Sequence, residues 1–187
     1  MKILFNASTL VRAVDVVKDF TAKKTARPLL NCINIKIDNE GKVLLTATDS
    51  YIFITLEVKD ATPFKEGFKA ELNLNAKQLY DLVKPYKKAD CTIVEMDDNT
   101  ITIKGIASYN VDNMEEKTAY PRLTITGGCD EQAKFAISSL NASRVFTSLS
   151  KEFDRISMVK NSTFTLSFTA ENDNFNVKGI ITTMRED

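Results

Sequence analysis

The feature that most limits how this chain can fold is a thrice-repeated order of elements. KILFNASTLVRAVDVVKDF at Lys2–Phe20, FKAELNLNAKQLYDLVKPYKK at Phe68–Lys88 and AKFAISSLNASRVFTSLSKEF at Ala133–Phe153 each read as a short alternating strand, a polar cap and an amphipathic helix. Asn6, Ser8, Asn75, Ser138 and Ser139 have the side chains that accept from the free N–H groups of a first helical turn. Each helix is followed by three strand-like runs. They are CINIKID, KVLLTATD and YIFITLEV; then CTIVEMD, TITIKG and ASYNVDNM; then RISMVKN, FTLSFTAE and FNVKGIITTM. DNEGK, DDNT and ENDN supply polar turns.

The chain therefore reads as three βαβββ units. Leu10, Leu79 and Val145 hold matching helix positions 69 and 66 residues apart, too long for a common solenoid repeat. A single unit leaves half of its sheet uncovered, and two units joined make a domain with one core. The expected organisation is a domain at 1–122, built from units at 1–60 and 64–116, followed by a partial second domain at 123–187. KDATPFKEG at Lys59–Gly67 and the stretch Met114–Gln132 read as linkers. The third unit lacks a mate in this scheme and is expected to present an open sheet edge and apolar surface. The fold class is α+β, with helices on one side of antiparallel sheets.

Composition narrows function by subtraction. There is no His and no Trp, and only 6 Gly among 187 residues. That removes His-based triads and the commonest metal ligand. No phosphate-binding glycine loop or GxSxG string is present. Cys32, Cys91 and Cys129 are odd in number and lack metal spacing, so they read as reduced thiols. No enzyme site, metal site or cofactor is expected. No run is long enough to span a membrane and no signal peptide is evident, so a cytoplasmic protein is expected.

Lys+Arg and Asp+Glu number 25 each, so contact with nucleic acid requires a local basic surface. On the first helix Leu10, Ala13, Val14 and Val17 form the apolar stripe, with Arg12, Asp15, Lys18 and Asp19 opposite. Lys23, Lys24 and Arg27 follow at once. On the second helix Leu79, Leu82, Val83 and Tyr86 point inward, Lys77 and Lys84 outward, and Lys87 and Lys88 follow Pro85. On the third, Val145, Phe146, Leu149 and Phe153 are expected inward, while Arg144 and Lys151 share an outer strip that carries no acid of its own. Taken singly, each cluster reads as a solvated face. Taken together, the eleven cations would line one side of a joined sheet and suit phosphate contact rather than base reading.

The run Arg27–Val58, RPLLNCINIKIDNEGKVLLTATDSYIFITLEV, resembles the first domain of the bacterial DNA polymerase sliding clamp, the beta subunit of the replicative polymerase. The resemblance rests on Pro28-Leu29-Leu30, INIKID, the NEG turn, and LLTATD at Leu44–Asp49, which is similar to the family's L-x-x-T-x-T-D and is followed by a tight turn at Asp49-Ser50. AYPRL at Ala119–Leu123 is similar to the family's link between first and second domains. It implies a ring of six domains around duplex DNA, helices lining the hole, and a processivity factor without chemistry of its own. It also implies a polymerase and a clamp loader as partners and a homo-oligomer; four chains of three units would supply the twelve units of a ring. Lys24 falls where the family places a basic residue facing DNA. Family members usually carry three complete domains, whereas this sequence carries one and a half; a phage or mobile-element variant, a truncated form and a degenerate paralogue all fit. The alternative reading is a clamp-fold regulatory or interaction protein that does not encircle DNA.

Overall fold

The computed structural model describes residues 2–38, 40–64, 71–88, 93–97, 100–104, 106–111, 120–121, 138–162 and 165–182. The first unit comprises β1 (Lys2–Asn6), α1 (Ala7–Val17), β2 (Cys32–Ile37), β3 (Val43–Thr48) and β4 (Ile52–Val58). A short strand β5 (Thr62–Phe64) precedes the second unit, with β6 (Glu71–Asn75), α2 (Ala76–Val83), β7 (Ile93–Asp97), β8 (Thr100–Ile103) and β9 (Ala107–Asn110). In the third are α3 (Ser139–Leu149), β10 (Ser157–Ser162), β11 (Thr165–Glu171) and β12 (Phe175–Thr182). The strand expected at 133–137, the stretch 122–132, Cys91, Cys129 and the final five residues lie outside the described residues.

Among the described residues all strand pairings are antiparallel and fall into two sheets. One runs β5-β1-β7-β8-β9 and the other β10-β11-β12-β4-β3-β2-β6. Units one and two exchange their first strands. β1 lies on β7, with Asn6 opposite Ile93, and β6 lies on β2, with Cys32 opposite Asn75. Each unit thus completes the other's sheet, and both feed one core.

The expectation that the third unit's sheet finds no mate in the chain is overturned at one edge. β12 pairs with β4 from Phe175–Val58 to Ile181–Ile52, so the outer strands of units one and three meet edge to edge. Gly179 makes that approach possible: a Cβ there would sit 2.2 Å from Phe168 Cζ and 2.5 Å from the Phe53 carbonyl oxygen.

The helices start as their caps dictate. Asn6 Oδ1 accepts from the Ser8 and Thr9 amides at 2.9 and 3.4 Å, and Asn75 Oδ1 accepts from the Gln78 amide at 3.1 Å. Ser138 occupies the corresponding position of α3 without a side-chain capping bond. α1 is covered almost all round, Val11 and Val16 as fully as Leu10 and Val14, because α2 packs on one flank and α3 on the other. Among the described residues no helix is long and apolar enough to cross a membrane.

Candidate nucleic-acid interface

The eleven candidate cations separate into two groups. Arg12, Lys18, Arg144 and Lys151 are tied into contacts between elements. Arg12 Nε donates to Glu152 Oε2 at 2.8 Å, and its guanidinium lies 5.4 Å from the centre of the Phe175 ring. Lys18 Nζ is 2.8 Å from Asp15 Oδ1 and 3.1 Å from Asp19 Oδ1, and sits 4.6 Å from the centre of the Tyr80 ring. Arg144 pairs with Asp49 through one nitrogen and donates through the other to the Asp19 carbonyl at 2.7 Å. Lys151 Nζ donates to Asp19 Oδ2 at 2.8 Å, beside the Ser148 hydroxyl, which donates to the same oxygen at 3.1 Å.

These contacts revise the expected faces of α3. The strip of Arg144, Ser148 and Lys151 turns toward α1, and Ser148 is buried there. Its acids come from α1, the 3-10 turn after it and the β3–β4 turn. Phe146, expected inward, is 46% exposed. The physical reason is a rotation of α3 about its axis, which seats Val145 and Leu149 on the core and carries Phe146 to the flank away from α1.

The seam sets its own charge states. Burial opposes ionisation of Asp15 and Asp19, but hydrogen bonds and charge from Lys18 and Lys151 outweigh it and hold both carboxyls below their ordinary value. Burial likewise opposes charge on Lys18, and its bonds to Asp15 and Asp19 raise its pKa above the usual lysine value.

The second group is Lys23, Lys24, Arg27, Lys77, Lys84, Lys87 and Lys88, all exposed. None of these seven makes an ion pair among the described residues. Lys84 lies 5.6 Å from the centre of the Tyr80 ring. Lys23 and Lys77 share a cleft of about 440 Å³ with Lys18, Asp19, Asn31, Asn75 and Tyr80. The loop after α1 thereby meets the start of α2, and two clusters distant in sequence become one surface. Nothing in the periodicity of either helix signals this meeting; it follows from the strand exchange that sets α2 beside α1.

Two motif segments keep this arrangement in register. In TDS, Asp49 Oδ1 accepts from the Tyr51 and Ile52 amides at 3.0 and 2.8 Å, and Ser50 takes a φ of 80°, so the turn is local and tight. The other carboxylate oxygen of Asp49 receives Arg144, a role the sequence pattern did not reveal. From the AYPRL segment, Tyr120 and Pro121 are described. The buried Tyr120 hydroxyl donates toward the carbonyls of Cys32 and Thr46 at 3.1 and 3.4 Å, and burial pushes its pKa well above the usual phenol value. Cys32 is a free, buried thiol. Among the described residues no group of three or more acidic or cysteine side chains could hold a metal ion.

The family profile of the DNA polymerase III beta subunit N-terminal domain matches residues 1–124. The whole chain superposes on the beta subunit of DNA polymerase III from Thermotoga maritima with a TM-score of 0.77 at 13% identity, covering 65% of that chain. It superposes on a sliding clamp of Bartonella birtlesii, solved bound to griselimycin, with a TM-score of 0.78 at 14% identity, covering 66% of that chain. Against the Bacillus subtilis sliding clamp the TM-score is 0.69 at 18% identity, again with all of this chain matched and 65% of the other. At these identities the likeness is one of fold, and the chain spans about two thirds of the length of these structures. No curated protein matches the sequence. A profile match over residues 1–124, on a fold of exchanged βαβββ units, means that the chain belongs to the DNA polymerase III beta subunit family.

Proposed function

We propose that the protein is a clamp-like processivity factor that encircles duplex DNA through sequence-independent phosphate contacts and holds a DNA polymerase to its template. The observation that carries the reading is the cleft shared by Lys23 and Lys77, with Lys24 and Arg27 exposed on the same loop as Lys23, all four without acid partners among the described residues. Such cations release counterions from duplex DNA, and weak contacts spread over many phosphates permit sliding. Arg12, Lys18, Arg144 and Lys151 contribute through the positive side of paired charges, so their share of the DNA contact is smaller. A chain of this kind acts by binding and catalyses nothing. Partners of the same class as those of the family, a polymerase, a clamp loader and further copies of the chain, belong to this reading.

The test is duplex-DNA association over a range of salt concentrations. Lys23→Ala/Lys24→Ala/Arg27→Ala should lower affinity for all sequences alike and reduce the slope of log K against log salt by about 0.9 for each phosphate that is no longer neutralised. An unchanged slope and affinity sink the proposed DNA surface. A second reading, a clamp-fold interaction protein that does not encircle DNA, draws support from the zero net charge and from four paired cations, Arg12, Arg144 and Lys151 where unit three meets unit one and Lys18 with Asp15 and Asp19 of its own segment. It predicts negligible DNA affinity for the unaltered chain at low salt.

A further inference from the structure

Asp19 stands where the basic cleft meets the third unit. Its side chain lines the cleft of about 440 Å³ that also holds Lys18, Lys23 and Lys77. Three donors converge on its carboxylate. Lys18 Nζ donates to Oδ1 at 3.1 Å, while Lys151 Nζ and the Ser148 hydroxyl donate to Oδ2 at 2.8 and 3.1 Å. Two lysines and a hydroxyl around a pair of anionic oxygens are also a donor set with which proteins grip a DNA phosphate. The carboxylate thus fills, from within the chain, a place suited to a phosphate of the ligand.

The other acids at this seam do not share that position. The side chains of Asp49 and Glu152 are 12% exposed and that of Asp15 19%, against 37% for Asp19. Asp49 is also committed to the Tyr51 and Ile52 amides of its own turn. Asp19 is therefore the acid of this seam that DNA can approach, and a partly exposed ion pair is weak enough to exchange partners. While Lys18 and Lys151 neutralise Asp19, they release few counterions from DNA, and a phosphate entering the cleft meets a like charge beside Lys18. Lys23 and Lys77, which line the same cleft without acid partners among the described residues, are left to hold it.

We infer that Asp19 is an internal competitor of DNA phosphate, which keeps Lys18 and Lys151 engaged and limits both the affinity of the cleft for duplex DNA and the number of phosphates neutralised there. This deepens the DNA reading and rests on it. The experiment is equilibrium association of the 187-residue chain with a fluorescently labelled duplex, followed by anisotropy from about 50 to about 200 mM salt. Asp19→Asn keeps the backbone carbonyl that receives Arg144. It should steepen the slope of log K against log salt by about 0.9 for each phosphate newly neutralised, so that its advantage over the unaltered chain grows about 3.5-fold per such phosphate as salt falls across that range. Adding Lys151→Ala to this variant should reduce the increase. Ser148→Ala, which removes one bond to Asp19 but no charge, should leave the slope unchanged and so separates freed cations from a loosened seam. Glu57→Gln removes the same charge from the face of β4 turned away from the core, and it too should leave the slope unchanged. An unchanged slope in Asp19→Asn, an equal rise in Ser148→Ala or Glu57→Gln, or a rise that Lys151→Ala leaves whole overturns the proposal while the DNA reading stands. No association with DNA by the unaltered chain or by Asp19→Asn at the lowest salt overturns both.

Discussion

The two joins in this molecule use the same building block and opposite physics. Between units one and two, strands are exchanged and α1 meets α2 through Leu79, Val83 and a buried apolar stripe. Between units one and three, strands meet edge to edge, and α3 with the residues after it meets α1, the 3-10 turn and the β3–β4 turn through Arg12–Glu152, Arg144–Asp49 and Lys151–Asp19. The first join is part of the core itself: separating it breaks two sheets and opens the apolar cluster. The second is a zipper of backbone bonds locked by partly exposed ion pairs, which respond to salt and pH. Cations drawn from the same sequence pattern are paired in one place and exposed without acid partners among the described residues in the other, as the join with unit three shows for Arg144 and Lys151.

That contrast can be broken by substitution. Leu79→Ala, which removes a buried side chain from the exchanged join, should cost about 2–5 kcal/mol in urea unfolding, with little dependence on salt. Gly179→Ala should cost roughly 1–3 kcal/mol, because the new Cβ collides with the Phe168 ring and with the Phe53 carbonyl, and backbone there cannot yield cheaply. Arg144→Ala should cost about 1–3 kcal/mol, since it strips partners from Asp49 and from the Asp19 carbonyl. A double-mutant cycle with Asp49→Asn should recover a coupling of roughly 0.5–3 kcal/mol that shrinks in high salt, and a coupling of zero would deny the seam its charged lock.

Acid sharpens the same comparison. Asp15 and Asp19 titrate below the ordinary aspartate value of 3.8 in the folded chain. Their stabilisation is complete above that value and is lost as pH falls through the lower folded pKa values. Amide exchange in α3, corrected for intrinsic rate, should therefore accelerate relative to α2 between about pH 4 and pH 2. Equal protection of the two helices through that window would place the seam's stability in its apolar contacts instead.

How far the sequence foretold this depends on the range of the signal. Asn6 and Asn75 act within one helical turn, and TDS within one hairpin, so local chemistry identified them. The three-strand runs alternate as half-buried strands must. The rotation of α3, with Phe146 outward and Ser148 inward, was not legible, because Asp19 and Asp49 lie more than 90 residues away from their partners on that helix. The burial of Val11 and Val16 on both flanks of α1 was visible as excess apolar residues, yet it needed the positions of α2 and α3 to be understood. Of the candidate site, the basic loop and the α2 cations were readable one by one, and the meeting of Lys23 and Lys77 in a shared cleft was not.

The exchange of first strands also governs the order in which the chain can fold during synthesis. β1 is made first but gains only the short β5 at residues 62–64 before β7 is available at residues 93–97, and β2 lacks its partner β6 until residues 71–75 emerge. Half a domain held at the ribosome is therefore a set of unclosed edges, which close in turn as β5, β6 and β7 emerge. Such long-range pairing slows folding and leaves edges open to wrong partners in the interval. A pause in translation after β9 would favour the native exchange, and one after β4 would leave β1 to pair with whatever strand comes next.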